Sequence, residues 1–198
     1  MIVQSGTLRG RPLKALGRQP WLRPTSDKAR EALMDVLRPV VGGARFVDLC
    51  CGTGAIGIEA LSNGASHAVF VDNDTRSIRL VTSNLRSLGL GEPASVVKTD
   101  AVSFASSLTG AEFDILFADP PFGSGLQGPL LGALAEHLRG EADGCIIVME
   151  HASREGLLDA YEGEAVDLRK YQERRYGDVS MAFFRAVKHD VPGVEGQG

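Results

Sequence analysis

Cysteine, tryptophan and long apolar runs are scarce in this sequence. Of its 198 residues, three are cysteine and one is tryptophan. Cys50 and Cys51 are adjacent, and no C-x-x-C pair with a histidine at metal-binding spacing occurs, which argues against a structural zinc site. These two and Cys145 lie in apolar runs, as small core residues do in a reducing cytoplasm. The four histidines have no partner pattern, so we expect surface or satisfied side chains.

The chain also lacks a segment that would insert into a membrane. No stretch approaches the roughly 20 apolar residues that a spanning helix needs, and the amino terminus has no apolar signal region. The length and the 43% hydrophobic content suffice for one α/β domain with its own core. We therefore expect a cytoplasmic protein, and a monomer because no obvious apolar face is left over.

Charge is distributed unevenly along the chain. Residues 1–30 carry seven cations against one acid, net +6, and the remaining residues carry 14 cations against 24 acids, net −10. The seven cations are Arg9, Arg11, Lys14, Arg18, Arg23, Lys28 and Arg30. A basic end on an acidic body predicts contact with a polyanion through that end, although a solvated extension would have the same composition. We expect a basic arm or hairpin over residues 1–24 and a disordered tail over 189–198.

The most informative stretch combines a strand, a glycine turn and a helix. Arg45–Leu49 predicts a buried parallel strand, and Gly52-Thr-Gly54 predicts a turn that leaves the backbone open to a ligand. The helix over 55–61 contains Gly57, which completes a G-x-G-x-x-G spacing. A second strand, His67–Asp72, ends about 20 residues after the turn in a carboxylate that can hold ribose hydroxyls. The unit predicts a site for an adenosine-containing cofactor.

The glycine turn by itself fits both nicotinamide cofactors and S-adenosylmethionine (SAM). Asp48 precedes the turn, where a carboxylate would attract the ammonium of a methionine moiety and repel a pyrophosphate. Further along, Asp119-Pro-Pro-Phe122 follows the strand predicted over 113–118, at the edge where open α/β sheets bind ligands. These two features favour SAM.

Asp119-Pro-Pro-Phe122 has the groups that methylation of an exocyclic amine requires. The lone pair of such an amine is delocalised into the base, so acceptors that hold its N–H groups and stabilise charge on nitrogen assist the attack. Asp119 offers a carboxylate and Pro120 a carbonyl, and Pro120 and Pro121 have no N–H to mispair. Phe122 offers a flat face for stacking an extruded base. In isolation, the same residues could be a proline-rich strand exit with a capping acid.

The remaining pattern predicts a doubly wound sheet. We expect helices over 25–37, 75–88 and 126–138, and further strands over 94–99, 145–149, 165–171 and 179–187. Strands alternating with helices imply a parallel right-handed sheet, and the last two strands imply an antiparallel hairpin at its edge. This is the α/β, Rossmann-like, seven-stranded layout of class I SAM-dependent methyltransferases, and we expect it to span residues 25–188.

Five motifs are distributed along the chain between residues 23 and 178. They are R-P-T-x-x-x-x-R-E (23–31), D-L-C-C-G-T-G-A-I-G-I-E-A-L-S-N-G-A (48–65), F-V-D-N-D (70–74), D-P-P-F (119–122) and Y-G-D (176–178). In this order they resemble the bacterial 16S ribosomal RNA guanine-N2 methyltransferases of the RsmD type. Where that family often has Ala-Gly-Ser-Gly this chain has Cys51-Gly-Thr-Gly54, and Asp72 stands where many members have Glu. The resemblance implies SAM-dependent methylation of one guanine at N2 in 16S RNA, on the small subunit or its late precursor.

Carried onto this sequence, the resemblance implies roles for individual residues. The methionine part of SAM would lie among Asp48, Gly52 and Gly54, its ribose on Asp72, and its adenine beside Asn73, Asp100 and the Ala101 N–H. The guanine would lie at Asp119, Pro120, Pro121 and Phe122. The substrate mouth would include Arg23, Thr25 and Arg30, although Arg30 and Glu31 could equally form a helix salt link. Among the basic-arm residues we expect RNA contacts from Arg9, Arg11 and Arg18. Glu150 could buttress the active-site loop and Tyr176 could line the mouth.

Three other functions remain open from the sequence. A DNA or protein amino-methyltransferase would use the same D-P-P-F site, but should carry a target-recognition domain for which this chain has little room. A nicotinamide oxidoreductase would leave D-P-P-F unexplained. A non-catalytic RNA-binding ribosome assembly factor could retain the cofactor fold and its acids.

Overall fold

The computed structural model describes residues 1–15, 27–110 and 112–189. Its helices are α1 (Asp27–Val41), α2 (Ala55–Ser62), α3 (Thr75–Leu88), α4 (Ala101–Ser107) and α5 (Gln127–His137). Its strands are β1 (Arg45–Leu49), β2 (His67–Asp72), β3 (Ala94–Lys98), β4 (Ile115–Ala118), β5 (Ile146–Ala152), β6 (Ala160–Tyr161), β7 (Val166–Tyr176) and β8 (Val179–Lys188). The predictions for Arg18, Arg23 and Thr25, and for the tail over 190–198, fall outside the described residues. His189, the first residue of that predicted tail, donates its backbone N–H to the Ala165 carbonyl at 3.0 Å.

All the described strands form one mixed sheet in the order β3-β2-β1-β4-β5-β8-β7-β6. Strands β1 to β5 pair in parallel, and β8, β7 and β6 join them antiparallel. The predicted parallel sheet with a carboxy-terminal hairpin is therefore confirmed. The predicted strand count of seven was too low, because Ala160–Tyr161 adds a two-residue strand that pairs with Leu168 and Arg169. So short a segment has no alternation from which to predict it.

Three other elements differ from the sequence-based expectation. Helix α1 runs on through Pro39 to Val41, because burial of Val41 (1% exposed) favours the last turn. Helix α4 was not predicted; within its seven residues only Ala105 is buried, so its apolar periodicity is weak. Strand β7 continues past the predicted end at residue 171 to Tyr176, with a bulge between Lys170 and Gln172. The connection to β8 is consequently a two-residue turn.

Two cores lie on opposite faces of the sheet. The first packs α1, α2 and α3 against alternate residues such as Phe46, Phe70 and Phe117. The second packs α4 and α5 against the intervening residues, such as Val47 and Leu116. Every residue of α2 is buried, since the sheet covers one side and other parts of the chain cover the rest. None of the helices within the described ranges has the combined length and hydropathy that crossing a membrane requires.

Residues 1–15, here called the N-terminal segment, form a small hairpin docked on α2. An antiparallel bridge joins Ile2 to Pro12, and Val3 and Leu13 are buried. At Gly6, with φ +76°, a Cβ would lie 1.9 Å from the Ser62 carbonyl oxygen. Only glycine fits so close an approach at positive φ. The predicted basic arm is thus, over its described part, a docked hairpin whose arginines Arg9 and Arg11 are exposed.

Candidate active site

The glycine turn connects β1 to α2 and has an unusual backbone. Cys50, Gly52 and Gly54 all have positive φ, at 59°, 51° and 74°. A Cβ at Gly54 would lie 2.3 Å from Val81 Cγ2, whereas one at Gly52 would meet no atom within 4 Å. The turn is therefore packed on its inner side and open at Gly52. A non-glycine residue in the left-handed region, as at Cys50, is typical of functional sites, where strain is tolerated.

Asp48 lies under this turn and is 2% exposed. Its Oδ2 accepts a hydrogen bond from the Gly57 N–H at 2.9 Å. Burial raises the pKa of Asp48 well above its ordinary value, and the negative charges of Asp119 and Asp72 add to the rise, while the Gly57 bond opposes it. Asp72 and Asp119 are thus each close enough to disfavour a negative charge on Asp48. A cationic ligand between them would relieve that repulsion.

Asp72 at the end of β2 is bonded to the glycine turn. Its Oδ2 accepts from the Gly52 N–H at 2.9 Å and its Oδ1 from the Asp74 N–H at 2.8 Å. A carboxylate oxygen can accept more than one hydrogen bond, so each oxygen keeps capacity for a ribose hydroxyl. Asn73, between the two acids, is exposed. The predicted ribose and adenine contacts therefore lie beside the open side of the turn.

Asp100 and Ala101 lie at the neighbouring strand exit. The Thr99 N–H donates to the Asp72 carbonyl at 3.2 Å, which keeps the ends of β3 and β2 together. Asp100 is exposed and caps α4 by accepting from the Ser103 N–H at 2.8 Å. Hydrogen bonds from Ser103 lower the pKa of Asp100, so this carboxylate is an acceptor at neutral pH. Its position fits the predicted contact with an adenine amino group.

Asp119-Pro-Pro-Phe122 leaves the sheet beside the glycine turn. The Asp119 N–H donates to the Leu49 carbonyl at 3.2 Å, which fixes the end of β4 against the end of β1. Pro120 is buried, and a turn follows in which the Ser124 N–H donates to the Pro121 carbonyl at 3.0 Å. Phe122 is 38% exposed and so presents part of its ring to solvent. The structure thus brings the two predicted halves of the site to one sheet edge.

The end of β5 and the β7–β8 turn complete this edge. Parallel pairing of Ala118 with Met149 places Glu150 beside Asp119, within β5, which continues to Ala152. Glu150 is 1% exposed. His151 beside it is fully buried, with Nδ1 3.0 Å from the Ala152 carbonyl and Nε2 3.5 Å from Glu173 Oε1. The expectation of a surface or fully satisfied histidine was therefore wrong here, because Nε2 has no hydrogen-bond partner among the described residues.

Arg30 does not line a substrate mouth in this structure. Its side chain is 1% exposed and donates to the Ile2 carbonyl at 3.3 Å and to Asp27 Oδ1. Its Nη1 lies 3.9 Å from Oε1 of the buried Glu59. Arg30 therefore joins α1 to the N-terminal segment and α2. The prediction of a substrate contact is corrected, as is the alternative of a salt link to Glu31.

Two buried polar side chains that the sequence analysis did not identify hold the N-terminal segment. Glu59 accepts from the backbone N–H groups of Gln4 (2.6 Å) and Ser5 (3.2 Å). Asn84 accepts from the Lys14 N–H at 2.9 Å and donates to the Thr53 carbonyl at 2.9 Å. Both lie on helix faces otherwise occupied by apolar residues. A polar residue on an otherwise apolar helix face was the feature of the sequence from which Glu59 and Asn84 could have been identified.

Comparisons with known proteins agree with this architecture. The family described as conserved hypothetical protein 95 matches residues 1–185. A candidate rRNA methyltransferase of Bacillus subtilis, YlbH, is 38% identical over 187 residues, covering 93% of this chain and 98% of YlbH. The ribosomal RNA small subunit methyltransferase D of Escherichia coli K12 is 37% identical over 155 residues, covering 78% of this chain and 76% of that protein.

A solved structure is also similar to this chain. The candidate methyltransferase yhhF from Escherichia coli superposes with a TM-score of 0.79 at 30% identity, covering 94% of this chain and 98% of that one. Since the family match covers most of the sequence and two relatives exceed 30% identity over most of it, the chain belongs to the conserved hypothetical protein 95 family, the RsmD family of ribosomal RNA methyltransferases.

Proposed function

We propose that this protein transfers a methyl group from SAM to the exocyclic N2 of a guanine in 16S ribosomal RNA. The main support for this proposal is that Asp119-Pro-Pro-Phe122 lies at the same sheet edge as Asp48 and Asp72. The Asp119 N–H is hydrogen-bonded to β1, the strand that precedes the glycine turn. An acceptor site for an amine thus lies next to a site for a cofactor.

The residues present fit SAM. The backbone at Gly52 is open, Asp72 keeps acceptor capacity, and the buried Asp48 is held among like charges that a sulfonium would offset. Asp48, Gly52 and Gly54 would hold the methionine part, Asp72 the ribose, and Asn73, Asp100 and Ala101 the adenine. When bound, SAM supplies an electrophilic methyl group. The residues at the exits of β1, β2 and β3 would hold the two ends of the cofactor in place.

The D-P-P-F residues would act on the amine. The Asp119 carboxylate and the Pro120 carbonyl accept its two N–H groups, which orients the nitrogen lone pair and stabilises positive charge as the new bond forms. Pro120 is buried and therefore rigid, while the partly exposed Phe122 ring can stack on the base. Arg9 and Arg11, both exposed, would contact RNA phosphates, and the substrate would be the small subunit or its late precursor.

Methyl transfer to three acceptors tests this proposal. Labelled SAM is incubated with small subunits lacking the modification, with naked 16S RNA and with DNA, and the nucleosides are then analysed. We expect N2-methylguanosine from the subunit. Methyladenine in DNA would favour the alternative amino-methyltransferase, and tight SAM binding without transfer to any acceptor would favour an assembly factor.

A matched pair of variants tests the role of Asp119. Asp119→Ala should lower turnover by about 10²- to 10³-fold, the usual effect of losing one group that stabilises transition-state charge, with SAM affinity changed only a few-fold. Asp114 lies just before the other end of β4 and pairs with Arg45 at the surface. Asp114→Ala should therefore retain normal turnover. Near-normal turnover of Asp119→Ala would contradict the assignment.

A further inference from the structure

The polar face of α3 is unusual in carrying charge of only one sign. Helix α3 contains Arg76, Arg79 and Arg86 and no acidic residue. Helix α1, by comparison, has three acids and three bases in fifteen residues, as a solvated helix face usually does. Arg76 is paired with Asp74 at 2.9 Å, so its charge is locally balanced. Arg79 and Arg86 are exposed.

The N-terminal segment adds two more cations to the same face. The Lys14 Nζ donates to the Ser83 hydroxyl at 2.8 Å, and the Arg11 Nη2 donates to the Ser87 carbonyl at 3.4 Å. Residues three and four apart lie on one side of a helix, so Arg79, Ser83 and Arg86 share a face. Arg11, Lys14, Arg79 and Arg86 therefore form one surface, which we call the basic α3 surface.

These four cations are not neutralised locally. Within the described ranges, none of them has a carboxylate at ion-pair distance. They lie on a chain whose net charge is −4, so the concentration of positive charge here runs against the overall composition. A surface of exposed, unpaired arginine and lysine side chains is complementary to a row of phosphates.

The surface also begins close to the active-site edge. Helix α3 starts directly after Asp72 and Asp74, and at 1.5 Å per residue Arg79 and Arg86 are about 7 and 18 Å along the axis from the helix cap. A nucleic acid with one base at the D-P-P-F edge can therefore place nearby phosphates along α3. A surface that bound a separate partner protein would not need to lie close to the active-site edge.

We propose that the basic α3 surface binds the phosphate backbone of the RNA that flanks the modified base, so that Arg79 and Arg86 of the catalytic domain act together with Arg11 and Lys14. This inference rests on the proposed RNA substrate. The proposed RNA contacts then include α3 of the sheet domain as well as the basic amino-terminal residues. Contacts from α3 were not predicted from the sequence.

Salt dependence of binding measures these contacts. The variant Arg79→Gln/Arg86→Gln is compared with wild type for binding to unmodified 16S RNA between low and physiological salt. Each lost phosphate contact lowers the slope of log affinity against log salt by about 0.7 for single strands, so the slope should fall by about 1.4. Arg79→Lys/Arg86→Lys should keep the wild-type slope. SAM affinity should be equal in all three proteins.

A control with the same loss of charge excludes a general effect. Arg185→Gln/Lys188→Gln removes two exposed cations of β8, neither of which has an ion pair among the described residues, toward the opposite end of the sheet from α3. It should bind RNA with the wild-type slope. An unchanged slope for Arg79→Gln/Arg86→Gln, or an equal decrease in the control, would overturn the proposed surface. Wild-type protein that neither binds 16S RNA nor methylates small subunits lacking the modification would instead reject the proposed function.

Discussion

Asn84 binds backbone groups of two residues, Lys14 and Thr53, that are far from it and from each other in the sequence. Its amide accepts from the Lys14 N–H and donates both to the Lys14 carbonyl (3.1 Å) and to the Thr53 carbonyl. The side chain is fully buried, so these bonds are not exchanged with water. Asn84 thus attaches the glycine turn to the N-terminal segment, which makes it a positioning residue for the proposed cofactor site.

Replacing Asn84 should affect stability and cofactor binding together. Asn84→Ala leaves the buried Thr53 carbonyl unsatisfied, at about 1–3 kcal/mol, and also removes two part-buried hydrogen bonds to Lys14. We expect a lower melting temperature and a several-fold higher KM for SAM, with kcat at saturating SAM nearly unchanged. The measurements are thermal unfolding and steady-state kinetics.

Asn63 provides the matched control for Asn84. Its Nδ2 donates to the Ser5 hydroxyl at 2.7 Å and to the Glu59 carbonyl at 2.8 Å, so it also holds the N-terminal segment but does not reach the turn. Asn63→Ala should lower the melting temperature and leave the KM for SAM unchanged. Equal increases in KM for the two variants would show that Asn84 has no specific role at the turn.

Asp48 should make the cofactor-free protein less stable as pH rises. Its pKa is raised in the folded state, mainly by burial, so its contribution to stability is complete below its ordinary pKa and is lost as pH rises through the raised value. Asp48→Asn removes the titration, and its amide oxygen can still accept from the Gly57 N–H. The melting temperature of the variant relative to wild type should therefore increase with pH. A difference that stays constant from pH 4 to pH 8 would contradict this expectation.

At the scale of the element, close packing of α2 on the sheet depends on Gly57. A Cβ there would lie 2.3 Å from Phe70 Cε1, inside the first core. Gly57→Ala should thus destabilise the protein by about 1–3 kcal/mol through overpacking. In α5, a Cβ at Gly132 would meet nothing within 4 Å, so Gly132→Ala should stabilise by about 0.5–1 kcal/mol. Thermal or urea unfolding should show a lower free energy of unfolding for Gly57→Ala and a higher one for Gly132→Ala. Destabilisation by both substitutions would mean that crowding at Phe70 is not the cause.

Which elements could be predicted depends on how much periodic sequence each one has. Helix α3 was predicted with its bounds, since Val81 and Leu85 recur at helical spacing and Gly89 ends the helix in the left-handed conformation. Helix α4 and strand β6 have seven and two residues and too little pattern to detect. The end of α1 was missed because burial of Val41 outweighed the local effect of Pro39.

For the whole molecule, the sheet order explains why the candidate site could be assembled from the sequence. Parallel strands bring their carboxyl ends to one edge, so the residues that follow β1, β2, β3 and β4 had to meet there. No such rule applies to Arg30, Glu59 or Asn84. Their roles depend on partners elsewhere in the chain, which only the folded structure brings into contact. Sequence reasoning therefore predicted which residues meet at the candidate site, but not the attachment of the N-terminal segment.

That attachment also sets a time order during synthesis. Lys14 is bonded to Asn84, 70 residues later in the chain, and Gln4 to Glu59, 55 residues later. At about 5–20 residues per second, the partner of Lys14 is made roughly 4–14 s after Lys14 itself. The N-terminal segment is therefore synthesised seconds before its docking site exists, and it reaches its final position only after α2 and α3 have been made.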